Sequence, residues 1–217
     1  MRVAGALLAL ASLTACQGVP TIPAPPGVTA SPESTKAANK PASVKNAAAA
    51  LAKLKVAPPG SMRGYSRAKF PTWRETGPNC NVRDAVLKRD GTHVKTSGCN
   101  VVAGTWRSAY DGMVLNSPTK VDIDHLVPLA DAWRSGAANW TTARREDFAN
   151  DLDHPELRAV SITANRAKGD QDPTTWRPKE TSLWCEYAED WITVKTAWKL
   201  TVTAGEKAAL ADMLETC

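Results

Sequence analysis

Eight of the chain's fifteen prolines fall between Gln17 and Gly60, a stretch rich in alanine that holds no aromatic residue. Such a segment cannot bury enough apolar surface to offset the entropy of ordering it. Residues 17–60 are therefore expected to form a flexible tether, which confines the fold to residues 61–217. The end of the tether is the exception: Ala47 to Val56 suits a short helix able to dock Leu51, Leu54 and Val56 on the domain, before Pro58-Pro59-Gly60 breaks it. Charge follows the same division. Arg2 and the tether lysines (Lys36, Lys40, Lys45, Lys53 and Lys55, against Glu33) account for the whole net charge of +5, so residues 61–217 are neutral. Any affinity of the domain for phosphate has to come from a local cluster.

Ahead of the tether, Met1-Arg2 and the apolar run Val3 to Leu13 read as an export signal, too short for the ~20 residues of a spanning helix. The run ends in Leu13-Thr14-Ala15-Cys16, which resembles a bacterial lipobox; residues 1–16 are then a lipoprotein-type signal peptide and Cys16 a lipidated anchor to the membrane. The protein is expected in the cell envelope or secreted. Four cysteines remain, and in an exported chain an even count reads as disulfides. Cys80, Cys99, Cys185 and Cys217 allow three pairings, of which Cys80 with Cys99 and Cys185 with Cys217 is preferred. A four-cysteine zinc site would need a Cys-x-x-Cys pair, and there is none.

The domain reads as α+β and mainly helical. Helical spacing covers Arg83 to Asp90, and weak alternation from Val94 to Trp106, broken by Gly98 and Gly104, predicts a hairpin. Val121 to Leu129 reads as a strand, Ala130 to Ser135 as a helical turn closed by Gly136, and Thr141 to Asn150 as a helix. Leu157 to Ser161 is a short apolar strand, followed by a helix from Ile162 to Lys168 that stops at Gly169. Trp184, Trp191 and Trp198 recur every seven residues as a core-facing stripe. Thr203 and Glu206 make a capping box that opens a last helix through Leu214.

Chemistry concentrates in Val121-Asp122-Ile123-Asp124-His125-Leu126-Val127-Pro128. Two carboxylates and an imidazole inside an apolar frame need partners. Oxygen ligands suit Mg²⁺ or Mn²⁺, and a neutral imidazole beside them can take a proton from water near neutral pH. Along an ideal strand Asp122 and Asp124 share a face while His125 points away. For Asp124 and His125 to serve one site the strand must bend or end there, and Pro128, which cannot continue a ladder, supplies a reason.

A second segment, Ala164-Asn165-Arg166-Ala167-Lys168-Gly169-Asp170, follows some forty residues later. Together, Asp-x-Asp-His-x-Val-Pro and Asn-Arg-x-Lys-Gly resemble the HNH endonucleases of the ββα-metal group, and most closely a set of small exported bacterial HNH nucleases. The resemblance runs from Tyr65 to Cys217 and includes Cys80, Arg83-Asp84, Gly98-Cys99, Ala132-Trp133, Asp172-Pro173 and Trp176. It implies a ββα-metal core in a disulfide-stapled domain. Asp124 and Asn165 are implied as ligands of one divalent ion and His125 as the general base, in a hydrolysis that leaves a 5′-phosphate. The substrate implied is nucleic acid, DNA or RNA, without strong sequence specificity, since nothing in the chain resembles a base-reading module; no protein partner is inferred. The middle Asn or His of the HNH pattern, which braces the base loop, is due near Glu156 to Arg158, where no Asn occurs; Asn150 and His154 lie nearby at other spacings. Arg166, Lys168 and Arg83 are the expected phosphate-binding cations, with Arg144 and Arg145 behind them. The alternative class is a non-catalytic envelope lipoprotein that keeps the fold for binding.

Overall fold

A computed structural model describes residues 44–217. The expected signal peptide with Cys16, and most of the expected tether, lie outside the described residues. Among the described residues, some ahead of residue 61 pack on the domain. Helix α1, Val44–Lys53, buries Ala47 and Leu51 in the core, Leu54 just past its end is buried too, and a parallel bridge joins Val56 to Val202. The segment that docks is the alanine-rich end of the stretch, whose Leu51 and Leu54 give it an apolar side; Val56 itself stays 48% exposed and is held by its backbone.

Short strands β1, Glu75–Gly77, and β2, Cys80–Asn81, lead into α2, Val82–Asp90. Asn81 caps α2 in a reciprocal capping box with Asp84, which satisfies two amides that the first turn would leave unpaired. Then come β3, Gly91–Ser97, β4, Asn100–Arg107, and β5, Val114–Leu115, as one antiparallel sheet. The expected hairpin is β3–β4, turning at Gly98, where φ is +60°. The Trp106 indole closes its base on α2, donating to the Leu87 carbonyl at 2.8 Å. A Cβ on Gly91 would lie 2.6 Å from that indole nitrogen.

The next elements build the centre of the molecule. Strand β6, Val121–His125, pairs antiparallel with β7, Leu157–Ser161, in a register that sets Asp124 opposite Arg158 and His125 opposite Leu157. Between them lie α3, Leu129–Arg134, and α4, Thr142–Ala149; directly after β7 comes α5, Ile162–Lys168. Ser161 caps α5 through the amide of Ala164, and Gly169 ends it at φ +53°. Two antiparallel strands followed by a helix thus form the ββα unit, interrupted by an α-helical insertion. Helices α6, Trp184–Trp198, and α7, Ala204–Leu214, complete the fold, α7 opening on the capping box of Thr203 and Glu206.

Two hydrophobic clusters flank the β6–β7 pair. Val121, Ile123, Leu157 and Ala159 join Val82, Val86, Leu87, Val101 and Trp106 on one side. Leu126, Val127 and Val160 join α1, α3, α4, α6 and α7 on the other, with Trp191 fully buried and the partly buried Trp184 and Trp198 packed against the cluster. Disulfides link Cys80 to Cys99 and Cys185 to Cys217. The second ties the chain end to the start of α6, and each contributes ~2–4 kcal/mol by restricting the unfolded chain.

Candidate active site

Strand β6 ends at His125, and Pro128 serves as the N-cap of α3. The chain leaves the ladder where the sequence required it to. Asp124, His125 and Asn165 consequently line one cavity of about 270 Å³, together with Arg67, Ile123, Pro128, Leu129, Gly169 and Asp170.

Each of the three polar side chains is anchored by part of its hydrogen-bonding capacity. The Oδ2 atom of Asp124 accepts from the Tyr110 hydroxyl at 2.6 Å and pairs with the Lys168 ammonium at 2.7 Å. Oδ1 takes no hydrogen bond among the described residues. The Asn165 side-chain nitrogen donates to Asp122 Oδ2 at 3.0 Å. A carboxylate acceptor fixes which end of the amide is nitrogen, so Asn165 Oδ1 is left as an open acceptor. His125 Nε2 lies 3.0 Å from the Ala149 carbonyl; a carbonyl can only accept, so Nε2 carries the proton and Nδ1 keeps its lone pair.

Burial sets the electrostatics. The His125 imidazole is pushed down to about 3, first by loss of solvent, with the positive charges of Arg67 and Lys168 adding to the effect. It is therefore neutral at physiological pH, as a proton acceptor must be. Burial raises the Asp124 carboxyl, while Lys168 and Tyr110 act to hold it down. The backbone after the imidazole is gripped by Glu156, at the place where the HNH pattern expects its brace: its carbonyl accepts from Leu126 at 2.6 Å and its Oε2 from Val127 at 3.1 Å. Glu156 is fully buried, which raises its carboxyl well above the usual range.

The expected phosphate-binding cations are redistributed. Lys168 is 0% exposed, spent on Asp124 and on the His125 carbonyl at 3.0 Å, so it neutralises the site from behind and cannot meet a phosphate. Arg83 is also corrected: it donates to the carbonyls of Pro118 (3.0 Å) and Val121 (2.8 Å), strapping α2 to the start of β6. Arg145 is buried on backbone carbonyls of Lys69, Ala137 and Trp140, and Arg144 lies over the Trp140 ring and reaches the Trp198 carbonyl. Arg166 is exposed on α5. His93 sits exposed in β3, and His154 pairs with Asp151 at 2.8 Å outside the cavity.

Three contributors had no signal in the motifs. Arg67 lines the cavity on a 3-10 turn, Arg67–Lys69, and its guanidinium has no hydrogen bond or ion pair among the described residues. Tyr110 reaches Asp124 from the loop after β4. Trp73 stacks on His125, ring centroids 5.6 Å apart and planes within 8°. Arg67 and Trp73 lie inside the span of the family resemblance but outside both of its motifs.

The family described as GmrSD restriction endonucleases, C-terminal domain, matches residues 80–213, a stretch that contains both motifs. This chain belongs to that family. Its members' domain is an HNH-like endonuclease domain. A relative from the fungus Arthroderma benhamiae, named only as an uncharacterized secreted protein, is 50% identical over 176 residues, covering 81% of this chain and 86% of that protein. The likeness to exported proteins thus reaches beyond the bacterial set expected from sequence, and it lends no support to lipidation at Cys16. No solved structure matches the chain.

The donor set can be tested against the divalent ion that an HNH-like domain implies. Two open oxygen acceptors, Asp124 Oδ1 and Asn165 Oδ1, belong to residues lining the same cavity, and both are hard ligands of the kind Mg²⁺ and Mn²⁺ take. Asp122 orients the Asn165 amide from behind, the supporting role that outer partners play around metal ligands. The residues fit the ion.

Proposed function

We propose that this chain is a metal-dependent endonuclease that hydrolyses phosphodiester bonds of nucleic acid, with DNA as the first substrate to test, and that it acts after export. Asp124 and Asn165 would hold one Mg²⁺ or Mn²⁺, whose charge, when bound, stabilises the phosphate and the leaving oxygen. His125 Nδ1 accepts the proton of the attacking water, while Nε2–H goes on donating to the Ala149 carbonyl, which then faces an imidazolium with its negative end. Lys168 offsets the Asp124 charge without entering the cavity. Arg67 offers a free planar fork of donors to a phosphate oxygen, and exposed Arg166 offers a contact for a neighbouring phosphate along the strand.

The observation that carries this reading is that three residues drawn from two distant motifs line one cavity, each anchored on one side and each with one acceptor left open. Export is supported by the two disulfides and by the secreted relative. The test is a digest of plasmid, single-stranded DNA, RNA and bis(p-nitrophenyl) phosphate by the full chain with Mg²⁺ or Mn²⁺. Hydrolysis of nucleic acid is expected, with His125→Ala lowering it at least ~100-fold at unchanged circular dichroism. No hydrolysis of any of these with either ion, or a His125→Ala variant as active as the wild type, would overturn the proposal.

A further inference from the structure

A hydrogen bond from Nε2 to the Ala149 carbonyl fixes one point on the His125 ring and leaves the ring free to tilt about it. Glu156 holds the backbone amides of Leu126 and Val127 and makes no hydrogen bond to the imidazole among the described residues. The plane of the ring is restrained by Trp73, whose indole is stacked with it, planes within 8° and ring centroids 5.6 Å apart. This indole is itself fixed, because it packs against the cluster of α2, β4 and β6.

The backbone around Trp73 is pegged to the end of α4. Asn150 accepts from the Arg74 amide at 2.8 Å and donates to the carbonyls of Pro71 at 2.8 Å and Glu146 at 2.7 Å. The Arg74 side chain pairs with Glu146 at 3.0 Å and Asp147 at 2.6 Å. The same helix end presents the Ala149 carbonyl to His125. Edge and face restraints on the imidazole therefore hang on one stretch, residues 146–150, and share its frame.

We infer that Trp73 is a positioning residue for His125, holding the plane of the imidazole so that Nδ1 faces the cavity, and that Asn150 sets the indole in place. This pair supplies the ring brace that the HNH pattern expects near Glu156 and that this chain does not carry there. Trp73 lies ahead of residues 80–213, the stretch matched by the family model, and inside the wider span of the resemblance. The inference rests on the reading of His125 as general base. Misplacing a reacting group by about an ångström costs up to ~100-fold in rate, which is the scale expected for a ring free to tilt.

The experiment measures kcat and KM of the full chain on plasmid DNA and on bis(p-nitrophenyl) phosphate with Mn²⁺, for the wild type, Trp73→Ala, Trp73→Phe and Asn150→Ala, with a melting temperature for each. Trp73→Ala is expected to lower kcat ~10- to 100-fold on both substrates with KM within about 2-fold. Trp73→Phe, which restores a flat ring, should recover most of the loss, and Asn150→Ala should fall between them. An unchanged kcat in Trp73→Ala overturns the inference, and so does a loss that Phe does not recover or one that appears in KM alone. If the wild type is active and His125→Ala inactive while Trp73→Ala keeps full kcat, only this inference falls. An inactive wild type removes the proposed function and this inference with it.

Discussion

Two lysines are sealed from solvent among the described residues, Lys168 beside the cavity and Lys195 on α6, both 0% exposed. Lys195 meets Asp131, Glu206 at 3.0 Å and the Thr201 carbonyl at 3.1 Å, which uses all three of its donors. The carboxylates around it are closed as well: Glu206 also accepts from Trp191 at 2.6 Å and from the Thr203 amide at 3.2 Å, and Asp131 has Arg134 at 3.6 Å. Burial works against the Lys195 charge, but Asp131 and Glu206 outweigh it and raise the ammonium above its usual range. Around Lys168 the accounting stays open. Among the described residues, Asp124 keeps one oxygen free, and Asn165 and His125 each keep an acceptor. Both regions solve the same problem, burying charge with partners. Only the one beside the cavity leaves valences for something outside the protein.

That contrast can be broken by deleting each ammonium in turn. Lys195→Met should cost ~3–5 kcal/mol, because it strands two buried carboxylates, and it should leave kcat of the folded fraction unchanged. Lys168→Met should lower stability too, and should also reduce kcat at temperatures where the variant is fully folded, since Asp124 loses its anchor. Urea unfolding and nuclease assays on the same samples make the check. Equal loss of kcat in both variants would show that the two networks do not differ in the way described.

A smaller effect sharpens it. The scaffold network around Lys195 holds no imidazole, whereas His125 sits neutral in the other, with its folded value near 3 against 6.5 when solvated. In this window the unfolded chain binds the extra proton, so stability rises with pH. The contribution of His125 is complete above about pH 6.5 and is lost as pH falls toward 3. Melting temperatures between pH 7 and 4 should therefore fall less steeply in His125→Gln than in the wild type. Parallel curves would contradict the sealed, neutral imidazole.

Much of this contrast was legible in the sequence on one side and hidden on the other. Strand β7 and helix α5 were readable because Ser161 and Gly169 punctuate them and the intervening pattern is unambiguous, and the seven-residue tryptophan spacing marked α6. The disulfide pairing was one of three, and the fold selected it. The partnership of Asp124, His125 and Asn165 came from motif order, since the β6–β7 register that unites them joins distant stretches. The misreadings share a cause. A lysine or arginine near a motif reads as a solvent-facing cation, and only packing shows that Lys168 is spent on Asp124 and Arg83 on the carbonyls of Pro118 and Val121. Arg67, Tyr110 and Trp73 reach the site across the fold, where local pattern carries no signal. The docking of α1 was anticipated from Leu51 and Leu54, and it shows that residues ahead of 61 pack on the domain.

The central claim is that Asp124 and Asn165 offer their open oxygens to a single divalent ion. Calorimetric titration of the full chain with Mn²⁺ tests this without reference to catalysis. One ion per chain is predicted, with binding lost in Asp124→Ala, weakened ~10-fold or more in Asn165→Ala, and unaltered in Arg166→Ala. Binding that survives Asp124→Ala undiminished, or a wild type that takes up no Mn²⁺, would contradict the account.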